Sequence, residues 1–311
     1  MAGFLRGRDL LSIADLSDRE LEQLLDLGLE LKRQDRGGVR PRPLEGKIVG
    51  LLFQKPSLRT RASFDVAAKH LGGQAVYMGP QEVGMGEREA VDDVALVVSR
   101  YFDAVVARVF AHQVVVDLAE HASVPVVNAL SADEHPCQAI ADLMTIKEWL
   151  GALAGLRVTY VGDGNNVAAS LGLACAKVGI HYVCATPEGY ALPPSFAEAF
   201  ARAATRSGAT YTALRDPREA ARGAQVLYTD VWTSMGQEAE REARLRAFAG
   251  YCIDEDLLAL ADPAAIVLHC LPAHYGEEIT REVSRHERSA IWDQAENRLH
   301  SSKALLAAIL A

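Results

Sequence analysis

An apolar run, IVGLLF at residues 48–53, leads directly into QKPSLRTR, a polar segment that opens a helix near residues 57–60. This segment carries three cations: Lys55, Arg59 and Arg61. A helix start directs backbone N–H groups and the positive end of the helix dipole at a ligand, and Ser57 and Thr60 add hydroxyl groups there. A guanidinium such as that of Arg59 can bind two oxygens at once. The segment indicates an anion site, although an ordinary Ser57 N-cap with solvated arginines would explain the same residues.

Two further strand ends carry polar side chains. Arg108 interrupts the apolar run DAVVARVF, either as an anion ligand or as a surface arginine with a buried stem. PVVNAL leads into SADEHPCQ, where His135 and Gln138 flank a helix start at Pro136. An imidazole and an amide at this spacing can hold a carbonyl oxygen and an NH2 group, but His135 taken alone is better explained as a half-buried structural residue.

A glycine-rich turn, GDGNN, joins the strand RVTYVG to the helix NVAASL. A dinucleotide-binding turn would need a third glycine where Val167 stands, so a nicotinamide-dependent dehydrogenase is disfavoured. Asn165 and Asn166 either cap the helix or bind the carboxylate of an amino acid.

The last two strand ends suggest a binding site for an amine. Asp230 ends the strand QVLYTD, and Ser234 follows four residues later, a pair that suits an ammonium group. Cys270 stands at the end of AIVLHC before Pro272, either as an inert buried thiol or as a site residue.

Apolar, β-branched runs alternate with amphipathic stretches, which predicts an α/β fold of two domains, each a parallel sheet flanked by helices. The first sheet is expected from residues 48–53, 75–78, 104–109 and 125–128, and the second from 157–162, 181–185, 210–214, 225–230 and 265–271. A capping box, Ser17 with Glu20, predicts the start of the first helix. Because ligands bind beyond the carboxyl ends of parallel strands, the polar strand ends should form the site.

Composition excludes several classes of protein. The 311 residues carry 32 basic and 41 acidic side chains, a net charge of −9, which disfavours nucleic acid as a partner. No apolar run is long enough to span a membrane or to serve as a secretory leader. The five cysteines have no metal-ligand spacing, so we expect reduced thiols, a cytoplasmic protein and no metal site.

The chain resembles the ornithine carbamoyltransferases over essentially its whole length. The resemblance rests on KPSLRTR, HPCQAIADLMTI, GDGNNVAASL, DVWTSMGQE, HCLPAHYGEE and ENRLH, in family order. The segment Ser-Met-Gly at 234–236 favours ornithine over aspartate as acceptor. The resemblance implies transfer of a carbamoyl group from carbamoyl phosphate to the δ-amine of L-ornithine, giving citrulline in arginine biosynthesis without a cofactor.

The same resemblance implies a domain organisation. A carbamoyl phosphate domain would span residues 1–146, an ornithine domain residues 147–292, and a helix at about 293–311 would pack back on the first domain. The active site would lie between the domains, and the chain would form a homotrimer or a trimer-based assembly.

The family's site residues transfer by position. The phosphate would be held by Ser57, Leu58, Arg59, Thr60 and Arg108. The carbonyl oxygen would be polarised by Thr60, Arg108, His135 and Arg298. The carbamoyl NH2 would be oriented by Gln138 and the carbonyl of Leu271. Ornithine would be held by Asn166, Asp230, Ser234 and Met235, with Cys270 near its δ-amine and near carbamoyl phosphate.

Three positions depart from the family pattern. Leu58 replaces a threonine, which is tolerable if that position contributes its backbone N–H. Tyr275 replaces a common arginine, and Gly84 stands where some members place a polar side chain that reaches a neighbouring subunit. The residues leave two alternatives open besides the dehydrogenase. One is an inactive homologue that serves in binding or assembly, which the retained arginines argue against, and the other is a carbamoyltransferase for another amine or for a modified ornithine.

Overall fold

Two parallel sheets form the framework, each built from strands that alternate with helices, and this confirms the predicted α/β class. The computed structural model of the chain describes residues 3–86, 88–234 and 236–311. It divides into two compact units, the first from residues up to Met144 together with Glu296–Ala311, and the second from Thr145–Ala295. In the part of the chain so described, no helix has the length and apolar character needed to cross a bilayer.

The first unit contains a parallel sheet with strand order β2-β1-β3-β4. Its strands are β1 (Ile48–Phe53), β2 (Gln74–Met78), β3 (Ala104–Arg108) and β4 (Val126–Leu130). Its helices are α1 (Asp18–Arg36), α2 (Leu58–His70), α3 (Pro80–Val83), α4 (Val91–Val98) and α5 (His112–His121), preceded by a 3-10 turn at Ile13–Asp15. The chain then enters α6 (Pro136–Leu150), which continues into the second unit.

The second unit has the strand order β7-β6-β5-β8-β9. Its strands are β5 (Arg157–Val161), β6 (His181–Ala185), β7 (Tyr211–Leu214), β8 (Val226–Thr229) and β9 (Ile266–His269). Its helices are α7 (Asn166–Val178), α8 (Pro194–Ala203), α9 (Pro217–Ala221), α10 (Arg241–Ala247), α11 (Glu255–Leu260) and α12 (Arg281–Ser284), with a 3-10 turn at Glu238–Glu240. Helix α13 (Ile291–Leu310) returns the chain to the first unit. The domain limits expected from the sequence fall within α6 and α13.

Local signals explain where these elements begin and end. The Ser17 side chain accepts a hydrogen bond from the Glu20 N–H at 3.2 Å, and the Glu20 carboxylate accepts one from the Ser17 N–H at 2.8 Å. This confirms the predicted capping box. The strand expected at 265–271 ends at His269, because Leu271 has φ 59° and cannot continue a strand. The C-terminal helix begins at Ile291, earlier than the expected residue 293.

Close packing in the second unit depends on Gly172 in α7. An added Cβ there would lie 2.5 Å from a ring carbon of Phe196 on α8 and 2.7 Å from a ring carbon of Tyr182 on β6. Both rings are buried, so neither can easily move aside. The glycine lets the helix approach the sheet and its neighbouring helix closely.

We therefore expect Gly172→Ala to destabilise the protein, against the usual rule. In an open helix this change stabilises by about 1 kcal/mol, whereas overpacking costs about 1–3 kcal/mol. Urea unfolding should show a net loss of stability, and a second change, Phe196→Leu, should restore part of it. A Gly172→Ala variant more stable than the wild type would contradict this packing.

Candidate active site

Helix α2 begins directly beyond the carboxyl end of β1. Ser57 is its N-cap, and its hydroxyl accepts the Thr60 N–H at 3.3 Å. The side chain of Leu58 is 79% exposed, so its backbone is the part of this residue available to an anion at the helix start. Ser57 is therefore the N-cap of α2, which was one of the two interpretations of this segment from the sequence. The N–H groups of the first turn still form an anion-binding geometry.

The ends of β1 and β3 are held side by side. Phe53 pairs with Arg108 in the parallel register, and the Gln54 N–H donates to the Arg108 carbonyl at 2.8 Å. The Gln54 side chain also accepts the Phe110 N–H at 2.9 Å. These bonds fix the chain that leaves β1 against the end of β3.

Lys55, the residue after Gln54, is only 8% exposed, and its ammonium lies 4.8 Å from the centroid of the Phe110 ring. Burial and the neighbouring Arg108 lower the pKa of Lys55 to about 8. The sequence showed this lysine within a basic loop but gave no sign of its burial.

His135 lies buried just before α6. Burial holds the pKa of its imidazole well below the ordinary value, and four positive side chains act in the same direction: Arg298, Arg108, Lys55 and Arg59. His135 is therefore neutral at physiological pH and can donate a hydrogen bond without a charge of its own.

Arg298, on α13, brings a third helix to this group. Its guanidinium donates to the Gln138 side-chain oxygen and, at 3.4 Å, to the Thr60 hydroxyl. The Gln138 amide nitrogen donates to Asp142 at 2.7 Å. Helices α2, α6 and α13 thus meet within the first unit. Of the residues that the resemblance assigns to carbamoyl phosphate, Cys270 and Leu271 belong to the second unit, Arg298 lies within α13, and the others lie at strand ends or helix starts of the first unit.

A second group of polar residues forms at the ends of neighbouring strands β5, β8 and β9. The Asp230 carboxylate accepts from the Asn165 amide at 2.9 Å, from the Cys270 thiol at 2.9 Å and from the Val231 N–H at 2.8 Å. Asn165 also caps α7 by accepting the Val167 and Ala168 N–H groups. Asp230 and Cys270 are therefore brought together, as the strand-end argument required.

Asn165, the neighbour of the transferred Asn166, donates to Asp230. Asn166 is the first residue of α7. Ser234 lies in the loop between Trp232 and Glu240, where its N–H donates to the Gln237 side chain at 3.0 Å. Met235 lies outside the described residues.

Leu271 follows Cys270 in a backbone conformation that few non-glycine residues adopt, with φ 59°. Its N–H donates to Nδ1 of buried His269 at 2.8 Å, and Nε2 of His269 lies 3.0 Å from Glu278. Glu278 also accepts the His274 N–H at 2.6 Å. These bonds hold the turn that contains the Leu271 carbonyl, which the family resemblance assigns to the carbamoyl NH2 group. The motif HCLP did not indicate that His269 would hold this turn.

Two clusters have ligand atoms within 4.8 Å of one another, a spacing that could accommodate a cation: Asp230 with His269 and Cys270, and His274 with Glu277 and Glu278. In the first cluster both nitrogens of His269 already have partners, in Leu271 and Glu278. A metal bound there would have to break those bonds.

Residues 8–148 match the aspartate/ornithine carbamoyltransferase carbamoyl-P binding domain, and residues 154–309 match the Asp/Orn binding domain of the same family. A protein named ornithine carbamoyltransferase from Gloeobacter violaceus is 54% identical over 97% of this chain and 95% of its own length. One named as anabolic ornithine carbamoyltransferase from Pyrococcus furiosus is 48% identical over 98% of this chain and 97% of its own. The solved ornithine carbamoyltransferase structure from Pyrococcus furiosus superposes with a TM-score of 0.96 at 48% identity, covering 98% of both chains. With family matches across both units and half of its residues shared with full-length relatives, the chain belongs to the aspartate/ornithine carbamoyltransferase family.

Proposed function

We propose that this protein transfers the carbamoyl group of carbamoyl phosphate to the δ-amine of L-ornithine, giving L-citrulline and phosphate. The observation that carries this proposal is the neutral, buried His135 among Lys55, Arg59, Arg108 and Arg298. Positive charge in a buried site binds a phosphate, and a neutral donor in the same place can hold the carbonyl oxygen of a carbamoyl group.

The first unit supplies the carbamoyl phosphate half of the site. The phosphate is assigned to the α2 start, Ser57, Leu58, Arg59 and Thr60, with Arg108 bridging to the carbonyl. The carbonyl oxygen is assigned to His135, Thr60, Arg108 and Arg298, and the NH2 group to Gln138 and the Leu271 carbonyl. The Gln138 oxygen already accepts from Arg298, and its second lone pair is the one available to the NH2 group.

The reaction explains why the positive charge is needed. Attack of an amine on the carbamoyl carbon places a negative charge on the carbonyl oxygen and then expels phosphate. Both changes develop negative charge where the arginines lie. A donor that stabilises such an oxyanion contributes about 2.7–4 kcal/mol to the transition state.

The second unit supplies the amino-acid half. Asp230 is assigned to the α-ammonium group of ornithine. Asn166, Ser234 and Met235 are assigned to its α-carboxylate and α-amino groups, and Cys270 is assigned to the neighbourhood of its δ-amine. An alkyl ammonium has a pKa of about 10.4, so the site must take up or generate the neutral amine. Cys270 is assigned to position that amine, and the departing phosphate can accept its proton.

Three finer features belong to the same proposal. We place the enzyme in the anabolic route to arginine, since a full-length relative carries that name. All five cysteines are free thiols, as in a cytoplasmic protein. Exposed apolar side chains near α4, Leu96, Val97 and Tyr101, support self-association, which we propose to be a homotrimer.

Initial rates with different acceptors test the assigned reaction. We expect ornithine to be used, and putrescine and acetylornithine to be poor substrates, because Asp230 would be left unpaired and desolvated with an acceptor that lacks a free α-ammonium group. Aspartate should be poor for a different reason: its only amine is the α-amino group, so no side-chain amine remains to attack the carbamoyl carbon. A rate with putrescine equal to that with ornithine would favour the carbamoyltransferase of another amine.

Replacing Arg59 by alanine should reduce turnover strongly in a folded protein. Loss of one charged donor should lower kcat/KM for carbamoyl phosphate roughly 10²–10³-fold. The matched control is Lys69→Ala, which removes an exposed cation from the same helix and should leave activity unchanged. Near-normal kcat/KM in Arg59→Ala would remove this residue from the site.

Replacing Asp230 by asparagine should weaken ornithine use much more than carbamoyl phosphate binding. A hydrogen bond to a charged group contributes about 1.5–3 kcal/mol, so KM for ornithine should rise at least roughly tenfold. Asp256→Asn, an exposed carboxylate of the same unit, is the control. Equal losses for both substrates would show that Asp230 is assigned to the wrong ligand.

Anion affinity should fall as pH rises above 8. Lys55 is charged below its pKa of about 8 and neutral above it, so the attraction is present at lower pH and is lost through that value. Sulfate keeps its charge across this range. The pH dependence of its inhibition constant against carbamoyl phosphate therefore reports only the titration of protein groups. Lys55→Met should abolish the step near pH 8, and Lys55→Arg should move it to higher pH. A step that persists in Lys55→Met must come from another group.

A further inference from the structure

Arg244, on α10, is a buried arginine that the assigned reaction does not use. Its side chain is almost fully covered, with the residue 6% exposed. One nitrogen, Nη1, donates to the Asp163 carboxylate at 2.8 Å and to the Trp232 carbonyl at 3.0 Å. Its Nε donates to Glu240 at 2.9 Å, and the guanidinium lies 5.0 Å from the centroid of the Tyr190 ring.

Two of these partners mark the ends of one loop. Trp232 and Glu240 enclose the segment that carries Ser234, so Arg244 binds both ends of this loop at once. One turn further along, Phe248 stacks on the Trp232 ring at a centroid distance of 5.5 Å. We call residues 232–240 the acceptor loop.

The remaining partner, Asp163, belongs to the glycine-rich turn after β5. This turn packs closely against the chain at residues 190–192, because a Cβ at Gly164 would lie 2.5 Å from the Leu192 backbone nitrogen, and the Gly164 N–H donates to the Tyr190 carbonyl at 2.8 Å. Asn165, two residues after Asp163, contacts Asp230. Arg244 therefore ties the acceptor loop to the same closely packed turn that contacts Asp230.

We propose that Arg244 and Asp163 are positioning residues for ornithine, which hold the acceptor loop so that Ser234 and Asp230 face the same amino acid. The inference rests on the proposed function. Neither residue is assigned a contact with substrate, and their effect is to fix the loop before the ligand arrives. Breaking the pair leaves a buried charge without its partner, and the loop ends then lose their common anchor.

Steady-state kinetics with both substrates tests the proposal. In Arg244→Gln and Asp163→Asn, KM for ornithine should rise roughly 10–100-fold, as expected when binding groups are displaced by about 1 Å, while KM for carbamoyl phosphate stays within twofold. Arg244→Lys can keep the ion pair with Asp163 but cannot also bind both ends of the loop. The KM of this variant for ornithine should therefore be intermediate. The control is Arg246→Gln, which removes an exposed charge from the same helix.

Hydrogen exchange of the acceptor loop supplies a readout that does not depend on activity. Backbone amides of residues 232–234 and 236–240 should exchange faster in Arg244→Gln and Asp163→Asn than in the wild type, with amides of β1 and β3 unchanged. If Arg244→Gln fails to fold, Arg244→Lys and Asp163→Asn decide by the same criteria.

The outcomes separate the two hypotheses. If the wild type does not carbamoylate ornithine, the proposed function fails, whatever the exchange data show. If the wild type does so and the folded variants keep a KM for ornithine within twofold and wild-type exchange in the acceptor loop, the positioning role is wrong. A lower kcat together with equal rises in the KM values for ornithine and carbamoyl phosphate, and faster exchange in both units, would also overturn the proposal. Such changes indicate that the ion pair is merely structural.

Discussion

Mutual repulsion among the cations around His135 is the constraint on which the first unit depends. Three parts of the fold hold them in place: the β1–β3 junction holds Lys55 and Arg108, the α2 start holds Arg59, and the contacts of α13 with α2 and α6 hold Arg298. Such a group is less stable than a neutral one until an anion arrives. Burial lowers the pKa of His135, and the cations around it act in the same direction, so the charges that we propose to bind phosphate also favour the neutral imidazole that we propose to polarise the carbonyl oxygen.

The second unit is proposed to bind an ammonium group, for which it presents a carboxylate. Its Asp230 is surrounded by neutral donors, an amide, a thiol and a backbone N–H, instead of by cations. A carboxylate paired with an arginine would have little attraction left for an ammonium group. The buried Arg244 of this unit is paired with Asp163 and the loop ends instead, so the Asp230 carboxylate remains for the ammonium group that we propose it binds.

Much of this arrangement could be predicted from the sequence because parallel sheets impose a simple rule. Strand ends gather at one edge, so Arg108, Asp230 and Cys270 could be recognised as site candidates by being polar at the end of an apolar run. The contacts of Arg298 with Gln138 and Thr60 could not be found in this way, since they join positions far apart in the chain and only the family resemblance indicated them. The role of Asn165 was hidden because a capping residue and a ligand residue look alike in one sequence, and the burial of Lys55 depends on packing that local patterns do not encode.

The discontinuity of the first unit has a consequence for synthesis. Residues 145–295 leave the ribosome before Glu296–Ala311, yet Arg298 belongs to the first unit with Thr60 and Gln138. The β1–β4 sheet can therefore form early in translation, but the anion site that we propose at its edge lacks Arg298 while the whole second unit is made. During that interval the nascent chain carries Lys55, Arg59 and Arg108 without Arg298, so the proposed capture of carbamoyl phosphate would wait until α13 has been made.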